Sequence, residues 1–237
     1  MNSRTALIVA HGQPSDPEPA DAEIAGLAEL VSSYLPGWQV LSATLASQAS
    51  LASARSNCRS GEVFVYPLFM ADGWFTTTHL PARLRAAGFE GFRQLPPMGL
   101  DPSIRNLSVS LVQDALARDG VAPSVAQVLV AAHGSSRSDA PAIVAREVAD
   151  LIWRRTGVSV AEAAFIDQVP TISSVAKGMD RNAVCLPFFA ANGGHVTGDL
   201  PAALALAGYS GRLLGPVGLD ARVPELVAAS LLAAAKA

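Results

Sequence analysis

His133 closes the apolar run Val128-Leu-Val-Ala-Ala132 and opens a turn, His133-Gly-Ser-Ser-Arg137. His195 lies in a longer loop, Leu186-Pro-Phe-Phe-Ala-Ala-Asn-Gly-Gly-His-Val-Thr-Gly-Asp-Leu-Pro201, with Asp199 four residues on. Parallel strands of an open α/β sheet all end at one edge, where ligand crevices form. Two histidines at two such ends can therefore share a pocket. A neutral imidazole pair near a carboxylate makes a weak site for iron, cobalt, nickel or zinc. The candidate ligands are His133, His195 and Asp167, the last at the end of the run Ala164-Phe-Ile-Asp167. Without a Cys-x-x-Cys or a third histidine at helical spacing, a tightly held structural metal is not indicated. Histidine also exchanges protons near neutrality, its unperturbed pKa being ~6.5. Such a pair suits a task in which a loosely held ion is passed on while protons are taken up.

The elements that must position these residues are read from periodicity. Thr5 to Ala10, Val40 to Leu45, Glu62 to Pro67 and Phe92 to Met98 read as strands, with helices over Ala20 to Tyr34, from beyond Leu45 to about Asn57, Thr78 to Ala87 and Asp101 to about Arg118. Strands then recur at Gln127 to Ala132, Val158 to Phe165, Asn182 to Phe188 and Arg212 to Val217. Helices recur at Ser138 to Thr156, Pro170 to Gly178, Thr197 to Ala207 and Asp220 to Lys236. Alternation at this spacing predicts an α/β fold with mostly parallel sheets flanked by helices.

The second series copies the first. Val9-Ala-His-Gly12 returns as Ala131-Ala-His-Gly134, Gly99-Leu-Asp101 as Gly218-Leu-Asp220, and the loop from Pro67 to Pro81 as that from Pro187 to Pro201. A period this long means two duplicated domains rather than a solenoid. The expected boundary falls near 120, giving an N-terminal half over 1–120 and a C-terminal half over 121–237. Within the aligned loops Phe75 stands opposite His195, His79 opposite Asp199, and Ala46 opposite Asp167. The first copy keeps His11 but lacks its partners, so it is expected to be a degenerate site that lines a wall.

The neighbouring residues have alternative roles. Asp199 either orients His195 or is a first-turn acid favoured by the helix dipole. Asp167 is either a solvated loop acid or a direct participant. Gly193 and Gly194 suit a backbone that needs positive φ or close approach to a flat ligand. The N–H groups of Gly134, Ser135 and Ser136 are placed at a helix start, where an anion is favoured.

Composition narrows the class. Half the residues are hydrophobic, yet no apolar run approaches the roughly 18 residues of a spanning helix. The N-terminus enters a strand without a signal-like leader, so a cytoplasmic protein without membrane association is expected. A net charge of −3 leaves no electrostatic footprint for nucleic acid. Cys58 and Cys185 form neither a disulfide framework nor a metal cluster.

Loose metal binding combined with proton uptake is what metal insertion into a tetrapyrrole requires, since the macrocycle nitrogens lose two protons as the ion enters. At His133-Gly-Ser-Ser-Arg137 and Pro187-Phe-Phe-Ala-Ala-Asn-Gly-Gly-His-Val-x-x-Asp-Leu-Pro201 the chain resembles the CbiX-type sirohydrochlorin chelatases among the class II chelatases. The resemblance is strong in the second half and weaker in the first. It implies two tandem flavodoxin-like, or Rossmann-like, halves and a histidine pair, His133 and His195, with catalytic and metal-handling roles. Two-half relatives commonly carry the pair in the first half, whereas this chain carries it in the second. The implied substrates are sirohydrochlorin and a divalent metal, Fe2+ to give sirohaem or Co2+ towards cobalamin. No prosthetic group is implied, and a fused pair of halves fits a monomer. The lack of a histidine-rich tail, a feature of some cobalt-linked relatives, favours iron. Gly134, Ser135, Ser136, Arg137, Gly193, Gly194 and Asp199 become candidate substrate contacts, and Arg83, Arg85 and Lys177 further partners for its carboxylates.

Rival readings fit less well. A histidine phosphatase would resemble Arg-His-Gly, but Ala132 and Ala10 precede the histidines. Ser135 lacks the Gly-x-Ser-x-Gly elbow of a serine hydrolase. A non-catalytic tetrapyrrole or metal carrier is the alternative from another class, and only turnover separates it from a chelatase.

Overall fold

The computed structural model describes residues 4–13, 17–59 and 61–237. Residues 14–16, within the proline-rich and so turn-rich stretch Gln13-Pro-Ser-Asp-Pro-Glu-Pro19, lie outside them. In the first sheet β1 (Arg4–Ala10) is flanked by β2 (Trp38–Thr44) and β3 (Glu62–Pro67), with the short β4 (Arg93–Gln94) beyond β3. Every pairing is parallel. The connections are α1 (Pro17–Ser33), α2 (Gln48–Asn57) and α3 (Leu80–Ala86). After α4 (Pro102–Asp119) the plan repeats with β5 (Gln127–Ala132), α5 (Ala140–Thr156), β6 (Val160–Phe165), α6 (Ile172–Ala176), β7 (Ala183–Pro187), α7 (Leu200–Leu206), β8 (Arg212–Leu213) and α8 (Val223–Ala234). The second sheet, ordered β6-β5-β7-β8, is again parallel throughout. The duplicated α/β architecture expected from the repeat is present.

The central strands are apolar without alternation because both faces are covered. Ala6, Leu7, Ile8 and Val9 are wholly buried, as are Val128 to Ala131. In the first sheet Leu7, Val9 and Val65 pack with Leu51 of α2 and Leu80 and Leu84 of α3. In the second, Leu129, Ala131 and Cys185 pack with Ile172 of α6 and Leu200 and Leu204 of α7. Burial pushes the Cys185 thiol up to about 12, so it stays protonated and inert near neutrality. A thiol-reagent titration of the native protein is expected to count at most one cysteine, Cys58, and to count both only in denaturant.

The compact units do not coincide with the sequence copies. One comprises Met1–Asp101 with Ala221–Ala237, the other Pro102–Asp220. Helix α4 packs on α5 and β7, and α8 packs on α1 and β3, so each copy's last helix completes the other copy's sheet. Specific polar contacts pin both helices. In the second unit Asp119 is held by the Arg212 guanidinium through two N–H groups, and Arg105 meets Glu147 at 3.0 Å. In the first, the Ser230 hydroxyl donates to Asp101, and Arg93 Nη1 donates to the carbonyl of Ala234 at 2.6 Å. The expected boundary near 120 therefore marks the repeat, while the packing divides the chain at 101/102 and 220/221. A repeat reveals where copies begin but not which sheet the closing helix covers. A fragment of residues 1–120 lacks the buried Val223, Val227 and Leu231 of α8. It is expected to show no cooperative thermal transition by circular dichroism, whereas the whole chain melts cooperatively.

Strand ends and helix starts shifted slightly from expectation. The strands expected over Phe92 to Met98 and Arg212 to Val217 are each reduced to two paired residues. Helix α5 starts at Ala140 rather than Ser138. The loop helices expected from Thr78 and Thr197 are each preceded by a single π-helical turn, Phe75–His79 and His195–Asp199. Among the described residues no helix is long and apolar enough to cross a membrane.

Candidate functional site

Adjacent strands β6, β5 and β7 end together, with Ala132 beside Phe165 and Ala131 beside Pro187. The next residues leave one sheet edge, and they carry Asp167, His133 and, beyond a short loop, His195. The backbone ties the three loops together. Ile166 and Asp167 N–H donate to the His133 carbonyl at 3.2 and 2.9 Å, and Phe188 N–H donates to that of Ala131 at 2.7 Å. Gly134 turns the chain at φ +73°, and a Cβ there would lie 2.8 Å from Phe165 Cβ and 2.9 Å from Gln168 Cβ. Glycine is thus required at 134 both conformationally and sterically.

The two rings meet. The His133 and His195 centroids are 4.2 Å apart at an interplanar angle of 78°. His195 Nδ1 lies 2.7 Å from Asp199 Oδ2. The four-residue spacing puts ring and carboxylate on the same side of the π-helical turn, a wider turn found often at functional sites. His133 Nδ1 lies 3.1 Å from the Gly134 carbonyl and 3.6 Å from Asp167 Oδ2. With both Nδ1 atoms donating their protons to oxygen, each neutral ring keeps its lone pair on Nε2. The side chains are 45% and 44% exposed, so a ligand can reach them.

The other sequence candidates divide. Asp199 takes the orienting role of its two alternatives. Asp167 sits at the Nδ1 side of His133, and no group of three or more His, Cys, Asp and Glu among the described residues is arranged to hold a metal ion. In this structure the Asp167 carboxylate stands 3.6 Å from His133 Nδ1. Ser135 N–H is already taken by Gln168 Oε1 at 3.1 Å, and Arg137 N–H by Ser135 Oγ at 3.1 Å. These residues precede α5 by several positions, so the expected anion nest at a helix start is not formed. The Ser136 and Arg137 side chains are exposed. Gly193 and Gly194 do not adopt positive φ; Gly194 is helical at φ −52°. A Cβ on either would meet nothing within 4 Å, so what they supply is open space beside His195. Arg85 is occupied over the Phe92 ring at 5.9 Å, and Arg83 Nη2 donates to the Leu45 carbonyl at 3.2 Å.

Gln168 is the residue that sequence reasoning missed. Its amide joins the histidine loop to the head of α5, accepting from Ser135 and donating to Asp139 Oδ1 at 3.3 Å. Nothing in the repeat signals it, because the clamp exists only once the loops after β5 and β6 are adjacent.

The first copy repeats the main backbone bonds of this framework. Ala46 N–H donates to the His11 carbonyl at 2.8 Å, as Asp167 does to His133, and Leu68 N–H donates to that of Val9 at 2.8 Å, as Phe188 does to Ala131. In place of the second imidazole stands Phe75, its centroid 4.7 Å from that of His11 at 69°. The aligned positions are spatially equivalent, and only the chemistry differs.

The CbiX family model matches twice, over residues 5–115 and 127–234. The structure is similar to that described as CbiX, the terminal enzyme for biosynthesis of siroheme in denitrifying bacteria, with a TM-score of 0.89, 44% identity, and coverage of 98% of this chain and 99% of that one. A probable sirohydrochlorin cobaltochelatase of Halobacterium salinarum is 25% identical over 222 residues, 82% of this chain and 74% of that protein. SirB from Bacillus subtilis with Fe3+ shares the fold, with a TM-score of 0.77 at 15% identity over 97% of this chain and 94% of that one. With the family matched once in each copy, and a relative so similar over nearly its whole length, the chain belongs to the CbiX family.

Proposed function

We propose that the protein is a sirohydrochlorin chelatase, inserting a divalent metal into the macrocycle at His133 and His195. The observation that carries this reading is the imidazole pair with both Nδ1 atoms hydrogen-bonded to oxygen. Insertion exchanges one divalent ion for the two N–H protons of the macrocycle, so two charges enter and two leave. The Nε2 lone pairs supply what the exchange needs: a loose hold on the arriving ion and a base for the departing protons. Asp199 and Asp167 face the Nδ1 side of their rings, which leaves Nε2 turned to the ion and the protons. The space beside Gly193 and Gly194 admits the flat macrocycle, and Arg137 and the exposed Ser136 hydroxyl are placed to meet its carboxylates. The likeness to a siroheme-forming enzyme at 44% identity favours iron over cobalt. The fusion of both copies in one chain favours a monomer.

An anaerobic spectrophotometric assay with sirohydrochlorin and Fe2+ or Co2+ tests the reading. A metallated product formed with turnover is expected, faster with Fe2+. Binding of sirohydrochlorin that is released unchanged would mark a carrier and overturn the proposal. Asp199→Ala is expected to lower kcat about 10- to 100-fold, the usual effect of removing a carboxylate that orients a working histidine. The KM for sirohydrochlorin should move little, because Asp199 is spent on the ring.

A further inference from the structure

Gln168 holds one end of the peptide unit on which the His133 ring rests. The Gly134 carbonyl, which meets His133 Nδ1 at 3.1 Å, and the Ser135 N–H, which donates to Gln168 Oε1 at 3.1 Å, belong to that same unit. It is planar, and in its trans form the two groups point in opposite directions. Fixing the N–H therefore fixes the carbonyl. The Gln168 amide is itself fixed, because a carboxylate only accepts: Nε2 must turn to Asp139 Oδ1, 3.3 Å away, which leaves Oε1 for Ser135. Packing adds to the hold. Gly134 is buried, and a Cβ on it would stand 2.9 Å from Gln168 Cβ.

The first copy shows what the hold is for. His11 Nδ1 also lies against the carbonyl of the next residue, Gly12, at 2.8 Å, but the place of Gln168 is taken by Ser47. Its hydroxyl is spent on capping α2, where it accepts from Ser50 N–H at 3.1 Å. The rings differ in having a second acceptor. Asp167 Oδ2 stands 3.6 Å from His133 Nδ1, whereas Ala46, in the corresponding place, has no side-chain oxygen. An N–H offered both a neutral carbonyl and a carboxylate is drawn to the carboxylate, since charge-assisted hydrogen bonds are roughly twice as strong. A His133 ring that turned to follow Asp167 would carry Nε2 with it, out of its setting against His195.

We infer that Gln168 is a positioning residue for His133. Through the Gly134–Ser135 peptide plane it keeps Nδ1 on the carbonyl against the pull of Asp167, and so keeps Nε2 aimed for metal insertion. The aim at insertion rests on the chelatase reading, and the placement of the ring does not.

The test uses the whole, metal-free chain with isotopically labelled histidine rings, observed by NMR above the ordinary titration range of imidazole. The His133 signals are assigned by their loss in His133→Ala. His195 on Asp199 serves as the carboxylate-bonded reference and His11 on Gly12 as the carbonyl-bonded one. In Gln168→Ala the His133 Nδ1 shift is expected to move towards that of His195, while the shift of His11 stays. Initial rates should show kcat about tenfold lower, the low end for losing a group that orients a working histidine, with the KM for sirohydrochlorin within about twofold. Gln168→Glu keeps an acceptor for Ser135 N–H but sets two carboxylates face to face, and it should lose activity as well. Combining it with Asp139→Asn restores a donor opposite an acceptor and should recover most of the kcat. An unmoved His133 shift in Gln168→Ala overturns the proposal whatever the rates do. A moved shift with unchanged kcat overturns it too, as does a combined variant no better than Gln168→Glu alone. If the unaltered chain does not turn over, the chelatase reading falls, and the His133 shift alone decides whether Gln168 places the ring.

Discussion

Replacing either His133 or His195 by alanine is expected to lower metal insertion at least about 100-fold, the scale of losing a positioned proton acceptor. His11→Ala is expected to cost less than about threefold. The contrast follows from the partners. His133 has an imidazole 4.2 Å away and a carboxylate at its Nδ1 side, whereas His11 has Phe75, and its loop neighbour in the place of Asp167 is Ala46. A phenyl ring can neither hold an ion nor accept a proton. Initial rates for the three variants, with circular dichroism spectra to show that each is folded, make the check. Comparable losses in all three would refute the division of labour between the copies.

Gly218→Ala is expected to destabilise the protein by about 3 kcal/mol, at the upper end of what an overpacked site usually costs. The melting temperature should then fall by roughly 10 °C. A Cβ at Gly218 would lie 2.0 Å from the Ala190 carbonyl oxygen, and its repeat partner Gly99 would place one 1.9 Å from that of Met70. Gly218 N–H also donates to the Phe189 carbonyl at 2.9 Å, so backbone lies against backbone and neither side chain can move aside. Because Phe189 and Ala190 begin the loop that carries His195, the same substitution should impair insertion beyond its effect on the folded fraction. Gly194→Ala is the opposite case. Its backbone is already helical and the added methyl meets open space, so its melting temperature should hold or rise slightly. Thermal melts of both variants separate glycines needed for close approach from those kept for room.

The repeat, the parallel order of strands and the pairing of His133 with His195 were all legible in the residues. Continuous apolar runs ending in His-Gly identify buried strands with a histidine at the carboxyl end, and neighbouring parallel strands can only deliver those ends to one edge. Comparing the copies also located the positions where their strand-end loops differ, Phe75 against His195 and Ala46 against Asp167. Three readings depended on contacts that no local pattern encodes. Asp167 Oδ2 lies 3.6 Å from His133 Nδ1, and Ser135 N–H is spent on Gln168 Oε1. Gly193 and Gly194 provide space instead of positive φ.

By itself the sequence determined which residues lie at which strand ends and which copy carries the histidine pair, because apolar periodicity and internal repetition are properties of the chain read along its length. Tertiary structure alone decided that α4 closes the second sheet and α8 the first, and which hydrogen-bond partner each histidine and amide takes. Those outcomes depend on apolar faces and polar atoms that lie far apart in the chain, as Asp101 and Ser230 do, and that compete for partners only once the sheets have formed.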